Sequence, residues 1–174
     1  IYRLYVPFED IHTSVFAILC KENSIIFDAA TTKDDVEKHI LPAISQLGIT
    51  PDMIICSHFH DDHAGGESAL ARHFPNARRA KFFAAHKPTG ENIYALHDGE
   101  LVFGCIEIKN LRGHTDDSIA LFDTRTKTLV SADCLQLCGI SRYGTGISDA
   151  AEYLKSIAGL RRSDIENIVA SHRY

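Results

Sequence analysis

Apolar residues fall in short clusters at the start of the chain, and their spacing then changes character. Tyr2–Val6, Val15–Cys20 and Ser24–Phe27 are rich in β-branched and aromatic residues, which predicts three strands. The polar insert Lys21–Asn23 predicts a hairpin turn between the last two. From Lys33 to Leu47 the period becomes helical. Val36, Ile40, Ile44 and Leu47 share one face, and Gly48 is the stop signal. Pro42 inside this segment predicts a kink or a split, because it donates no backbone hydrogen bond. Met53–Cys56 is almost wholly apolar, the pattern of a strand buried on both faces.

After a polar loop, the pattern predicts a helix over Gly66–Phe74 and a strand over Lys81–Ala85. Leu101–Phe103 and Cys105–Lys109, with Gly104 between them, predict paired or bulged strands. Ile119–Asp123 and Thr128–Ala132 flank Thr124–Lys127 as a hairpin. Asp149–Ala158 is predicted helical, capped by Ser148 or Asp149, with Tyr153, Leu154 and Ile157 on its apolar face. Ile168–Ala170 is a final strand. Strands outnumber helices, and the helices fall between groups of strands. This predicts an α/β (α+β) protein with two sheets face to face and helices outside.

The chain has 174 residues, 45% of them hydrophobic. That is enough to bury a core, and it predicts a single domain over residues 1–174. The net charge of −5 argues against nucleic acid or an anionic membrane surface as a partner. No apolar run approaches the ~20 residues of a membrane span. No secretory leader is visible, and the five cysteines form no CxxC pair. Both point to reduced thiols and a cytoplasmic location. The chain begins at Ile1, so a preceding segment is expected. Ten histidines, in a chain with no Trp and one Met, are the unusual feature.

Three of them stand together directly after the buried strand, in Ser57-His58-Phe59-His60-Asp61-Asp62-His63-Ala64-Gly65-Gly66. His58 and His60 are two apart, so an extended segment points them to one side. Asp62 and His63 are adjacent and point apart. One loop can thus offer two imidazoles to one ion, and a carboxylate with an imidazole to a second. These are ligand types for Zn²⁺ and similar ions. The remaining donors must come from further along. His114, in Arg112-Gly113-His114-Thr115, Asp133 and His172 each follow a predicted strand.

The HxHxDH segment from His58 to His63, the later His114, the post-strand Asp133 and the late His172 together resemble the metallo-β-lactamase-fold metallohydrolases. The glyoxalase II-like branch is the nearest in its ligand set. The resemblance spans nearly the whole chain, and it implies a four-layer αββα sandwich with two divalent ions at one edge. Zinc is expected first, with iron or manganese as alternatives. By this resemblance His58, His60 and His114 hold one ion, and Asp62, His63 and His172 hold the other. Asp133 bridges the two, and Asp28 and Ser118 support the ligands. His60 departs from the HxExDH pattern of flavodiiron proteins, and Asp133 departs from the Cys or Ser of the β-lactamases proper. Asp116-Asp117 stand where the family more often has Pro-Gly. Glyoxalase II carries a C-terminal helical part that is absent before Tyr174, and a ligand so near the end leads us to expect further chain.

The implied function is hydrolysis of a small thioester, ester or lactone by a metal-bridging hydroxide, with Asp62 orienting it. Tyr143, in the Gly139–Gly146 loop, is a candidate donor to a developing oxyanion. The expected partner is a small-molecule substrate, with no nucleic acid and no membrane, and the oligomeric state stays open. Two alternatives remain. One is an iron-dependent oxygenase like the persulfide dioxygenases, and the other is a metal-holding sensor domain without turnover.

Overall fold

The computed structural model describes residues 1–83, 93–135, 146–161 and 164–172. Strands β1 (Tyr2–Phe8), β2 (Ile11–Cys20), β3 (Asn23–Phe27), β4 (Met53–Ile55), β5 (Arg78–Phe82) and β6 (Ile93–Leu96) form one sheet in that order. Its first three strands run antiparallel, and β3 to β6 run parallel. The second sheet is ordered β11-β10-β9-β8-β7. It comprises β7 (Leu101–Val102), β8 (Ile106–Asn110), β9 (Ile119–Asp123), β10 (Thr128–Ala132) and β11 (Asn167–Ala170). Only the β10–β11 pair is parallel in this sheet.

Alternation along the strands sorts the side chains into layers. Ile25 and Phe27 of β3, and Met53 and Ile55 of β4, face the second sheet. There they meet Ile106, Ile108, Leu121 and Val130 in the central core. Ile26 and Ile54, one residue out of phase, face the other way. They pack on Val36, Ile40 and Ile44 and on Leu70 of α4 (Glu67–His73). The outer face of the second sheet carries Leu111, Ala120, Phe122 and Leu129, packed against Leu160 of α5 (Ala150–Leu160). Period-two strands thus build an αββα sandwich, as the pattern predicted. Full burial of a side chain such as Phe16 or Phe27 is worth about 1.5–3 kcal/mol, so the paired cores supply most of the drive to fold.

The first helical segment differs from a simple kink. It begins as α1 (Lys33–Asp35), capped by Thr32, whose side chain accepts from the backbone N–H of Asp35. It then widens into a π-helical turn over Val36–Ile40 and returns to α geometry in α2 (Leu41–Gln46). Leu41 N–H donates to Val36 C=O, five residues back. Pro42 is the physical reason. It has no N–H to return to Lys38, so the ladder is widened by one residue instead of broken.

Other expectations need correction. The strand expected over Lys81–Ala85 begins earlier, as β5 at Arg78–Phe82, while Ala84 and Ala85 lie outside the described residues. Its alternate residues Arg79 and Lys81 are charged because both bind the buried Glu67, at 2.9 and 2.6 Å. Strand β6 had no counterpart in the sequence reading. The polar loop contains a short helix, α3 (Asp61–Ala64). Leu154, placed on the apolar face of α5, is 67% exposed, and no residue of that helix is buried. All five cysteines are expected as reduced thiols; the fold brings Cys20 and Cys105 face to face across the sandwich, their Cα atoms 6.5 Å apart, within reach of a disulfide. Among the described residues, no helix is long and apolar enough to cross a membrane.

Candidate metal centre

The ends of several strands converge at one edge of the sandwich. His58 and His60 follow β4, and Asp62 and His63 lie in α3. His114, Asp133 and His172 follow β8, β10 and β11. Two backbone features hold this edge. Asp28 and Ala132, each next to a strand end, have left-handed φ values of 71° and 46°. For Ala132 that conformation is costly, of order 1–3 kcal/mol, and it sits directly before Asp133. The ligand helix is pressed against the segment after β3. Ala29 N–H donates to His63 C=O at 2.7 Å, and Gly66 N–H donates to Ala30 C=O at 3.0 Å. A Cβ on Gly66 would lie 2.1 Å from the Ala29 carbonyl oxygen, so only glycine permits this approach.

Three imidazole nitrogens form the first donor group. His58 Nε2 and His60 Nδ1 are 2.9 Å apart, and His114 Nε2 lies 3.2 and 3.0 Å from them. Tetrahedral donors about 2.0–2.1 Å from a zinc ion would be separated by about 3.3 Å, close to this triangle. The far ring nitrogens set which nitrogen is free. His114 Nδ1–H donates to Gly146 C=O at 2.5 Å. His58 Nδ1–H donates to Ser57 Oγ at 2.9 Å, and that hydroxyl donates to Asp28 Oδ2 at 3.1 Å. Both rings therefore turn a lone pair on Nε2 toward the shared point. Burial, aided by the neighbouring imidazoles, pushes His58 down to about 2, so it is neutral and ready to ligate.

The second group is different in charge. Asp62 Oδ2 lies 3.2 Å from His63 Nε2 and 3.4 Å from His172 Nε2. Asp133 faces every side of the cluster. Its Oδ1 is 3.5 Å from His63, and its Oδ2 is 3.3 Å from His172 and 3.8 Å from His114. Burial alone would raise both carboxyls. The adjacent His63 and His172 outweigh it and hold Asp62 and Asp133 well below the usual carboxylate range. Burial alone would also lower the imidazoles. The carboxylates reverse this, raising His172 to about 9 and His63 well above its ordinary value. The cluster therefore favours positive charge, which protons or a divalent cation can provide.

The donor sets fit two divalent ions. His63 Nε2 is buried, has no hydrogen-bond partner, and points at the carboxylates. Three groups of donor atoms lie within ligating reach of one another: His58, His60 and His114; His58, His63 and Asp133; and Asp62, His63 and His172. The seven residues singled out as ligands are thus brought together.

The supporting residues divide. Asp28 binds a donor group directly, its Oδ2 accepting from His63 Nδ1 at 2.7 Å. Ser118 instead supports the His114 turn, its Oγ accepting from Thr115 N–H at 3.1 Å. Tyr143 lies outside the described residues. Cys56 and Cys134 are buried thiols pushed up by burial, which keeps them protonated. Sequence reasoning missed Ser57, Thr13 and the Gly146 carbonyl. Thr13 Oγ donates to Asp62 Oδ2 at 3.2 Å across 49 positions, a contact with no local signal in the chain.

Residues 10–91 match the family model of the metallo-beta-lactamase superfamily. A hydroxyacylglutathione hydrolase from Pectobacterium atrosepticum is 32% identical over 142 residues, covering 78% of this chain and 53% of that protein. The chain spans about half the length of the curated relatives it matches. Among solved structures, a metallo-beta-lactamase from Pontibacter korlensis superposes with a TM-score of 0.79 at 19% identity, covering 99% of this chain and 86% of that one. A protein crystallised in a di-iron-bound form gives a TM-score of 0.79 at 17% identity, covering 100% and 93%. At these identities the structural matches speak for the fold.

Proposed function

Since the chain belongs to the metallo-β-lactamase superfamily, we propose that it is a metal-dependent hydrolase of a small acyl substrate, working with two divalent ions. The observation that carries this reading is the pair of donor groups placed side by side, with Asp133 facing both. Bound divalent ions would supply Lewis acidity and a water acidified toward neutral pH. His58, His60 and His114 would hold one ion. Asp62, His63 and His172 would hold the second, and Asp133 would bridge them. Zinc suits this nitrogen and oxygen donor set, and the di-iron form of a similar structure supports iron as an alternative.

The chain's own groups have distinct tasks. Asp62 is held ionised, so it accepts hydrogen bonds at neutral pH and orients a water rather than storing a proton. Thr13 keeps that carboxylate in place. Beside the site, Phe59 is 65% exposed and its ring centroid lies 5.0 Å from that of His60, an apolar rim for an organic substrate. Thioesters come first among the substrates, because curated relatives are named hydroxyacylglutathione hydrolases. Lactones and simple esters follow.

The test is a panel of thioesters, lactones, esters and phosphodiesters, assayed with protein loaded with zinc, iron or manganese. Metal-dependent cleavage of an acyl substrate is expected, abolished in His58→Ala. Oxygen uptake with a persulfide in place of hydrolysis would replace this reading with an oxygenase.

A further inference from the structure

His172 stands at an exposed position in the topology. It follows β11, a four-residue strand that, among the described residues, stands at the edge of the second sheet and pairs with β10. A four-residue edge strand is held by few ladder hydrogen bonds, so the residues after it need a further tie to keep a fixed place. Here the tie comes from the other sheet. Ser14 Oγ of β2 donates to the Ser171 carbonyl at 2.5 Å, across 157 positions. Arg3 Nη2 of β1 donates to the same carbonyl at 3.2 Å, and Arg3 Nε donates to Ser14 Oγ at 2.8 Å. The clamp is closed to water at its centre, since Ser14 and Ser171 are both 0% exposed. The Arg3 guanidinium is also seated over the Tyr5 ring, 4.8 Å from its centroid. One residue further on, His172 Nδ1–H donates to His12 C=O at 3.1 Å, which frees Nε2 for the Asp62 and Asp133 carboxylates.

We propose that Arg3 and Ser14 are positioning residues for the second ion. By gripping the Ser171 carbonyl they set where the His172 ring stands. The charge-assisted bond from Arg3 and the buried bond from Ser14 are strong because water does not compete with them. The first donor group is held by other means, through Ser57 and Gly146. The clamp therefore discriminates between the two ions, which a general stabilising role would not do. The inference rests on the two-ion reading above.

The experiment is a zinc titration of the metal-free protein against a chromophoric chelator, with Arg3→Met, Ser14→Ala and Arg3→Lys beside the unaltered chain. Loss of a partner behind a ligand typically weakens metal affinity 10–100-fold. We expect a second-equivalent dissociation constant about 10–100-fold higher in Arg3→Met and Ser14→Ala, with the first equivalent unchanged. Arg3→Lys, which keeps a charged donor, should fall between these variants and the unaltered protein. Ser14→Ala removes a single oxygen atom, and its first-equivalent affinity reports that the fold is intact. An unchanged second equivalent in both Arg3→Met and Ser14→Ala would overturn the proposal, as would equal weakening of both equivalents. Uptake of only one equivalent by the unaltered protein would instead overturn the two-ion reading itself.

Discussion

Asp28 Oδ2 accepts a 2.7 Å hydrogen bond from His63 Nδ1, and both side chains are fully buried. The other oxygen, Oδ1, accepts from Ser57 N–H at 2.7 Å. Through the Ser57 hydroxyl the same carboxylate also reaches His58. One group from the end of β3 thus orients an imidazole of each donor set.

This arrangement makes Asp28→Asn a severe change despite its similar shape. Both oxygens face donors, so an amide nitrogen must oppose an N–H whichever way it turns. Leaving a buried donor unsatisfied costs about 1–3 kcal/mol. The variant should lose that much stability and bind zinc 10–100-fold more weakly, as is typical of partners behind a ligand. Chemical denaturation and chelator competition read the two effects separately.

Glycine positions give a matched pair of opposite sign. In Gly66→Ala the new methyl would meet the Ala29 carbonyl oxygen at 2.1 Å and Val36 Cγ2 at 2.6 Å. The ligand helix must then move, and we expect a loss of at least about 2 kcal/mol with weakened metal uptake. Gly159→Ala in α5 has open space around it and should gain about 0.4–1 kcal/mol by lowering unfolded-chain entropy. Thermal denaturation of the two variants should bracket the unaltered protein.

Acid stability should depend on Glu67. Burial pushes its carboxyl up, but hydrogen bonds and charges from Arg79 and Lys81 outweigh that and hold it below the usual range. A carboxyl lowered on folding stabilises the protein above its unfolded pKa of about 4.3. That contribution is lost as pH falls through the lower folded value. Glu67→Gln should be less stable at neutral pH, and its stability should fall less steeply below about pH 5. Parallel urea titrations at several pH values test this; identical slopes would refute it.

A disulfide between Cys20 and Cys105 would close a separation of 85 residues. In the chain-entropy treatment a link of that span contributes about 4–5 kcal/mol. Thiol titration of the denatured protein, before and after reduction, should differ by two thiols per chain. An equal count in both would show that the pair is not joined.

What the sequence made legible was local. The donor cluster His58 to His63 packs its chemistry into six residues after an apolar run. The β9–β10 hairpin combines apolar strands with a polar turn, and both strands fall where the pattern placed them. Strand β6 has no such contrast along the chain and went unseen. The charges of β5 displaced the expected strand toward Lys81–Ala85, because their partner, Glu67, lies on a helix 12 positions away from Arg79. Arg3, Thr13 and Ser14 reach the site over 49 to 168 positions, so no periodicity marks them. Leu154 misled for the opposite reason. Helical spacing says which residues share a face, not whether anything covers it.

Anomalous X-ray diffraction from crystals of the zinc-loaded protein would locate the bound ions. Two peaks per chain are expected, about 3.5–4 Å apart. One should lie among His58, His60 and His114, the other among Asp62, His63 and His172, with Asp133 between them. A single peak, or none at this edge of the sandwich, would contradict the two-ion reading.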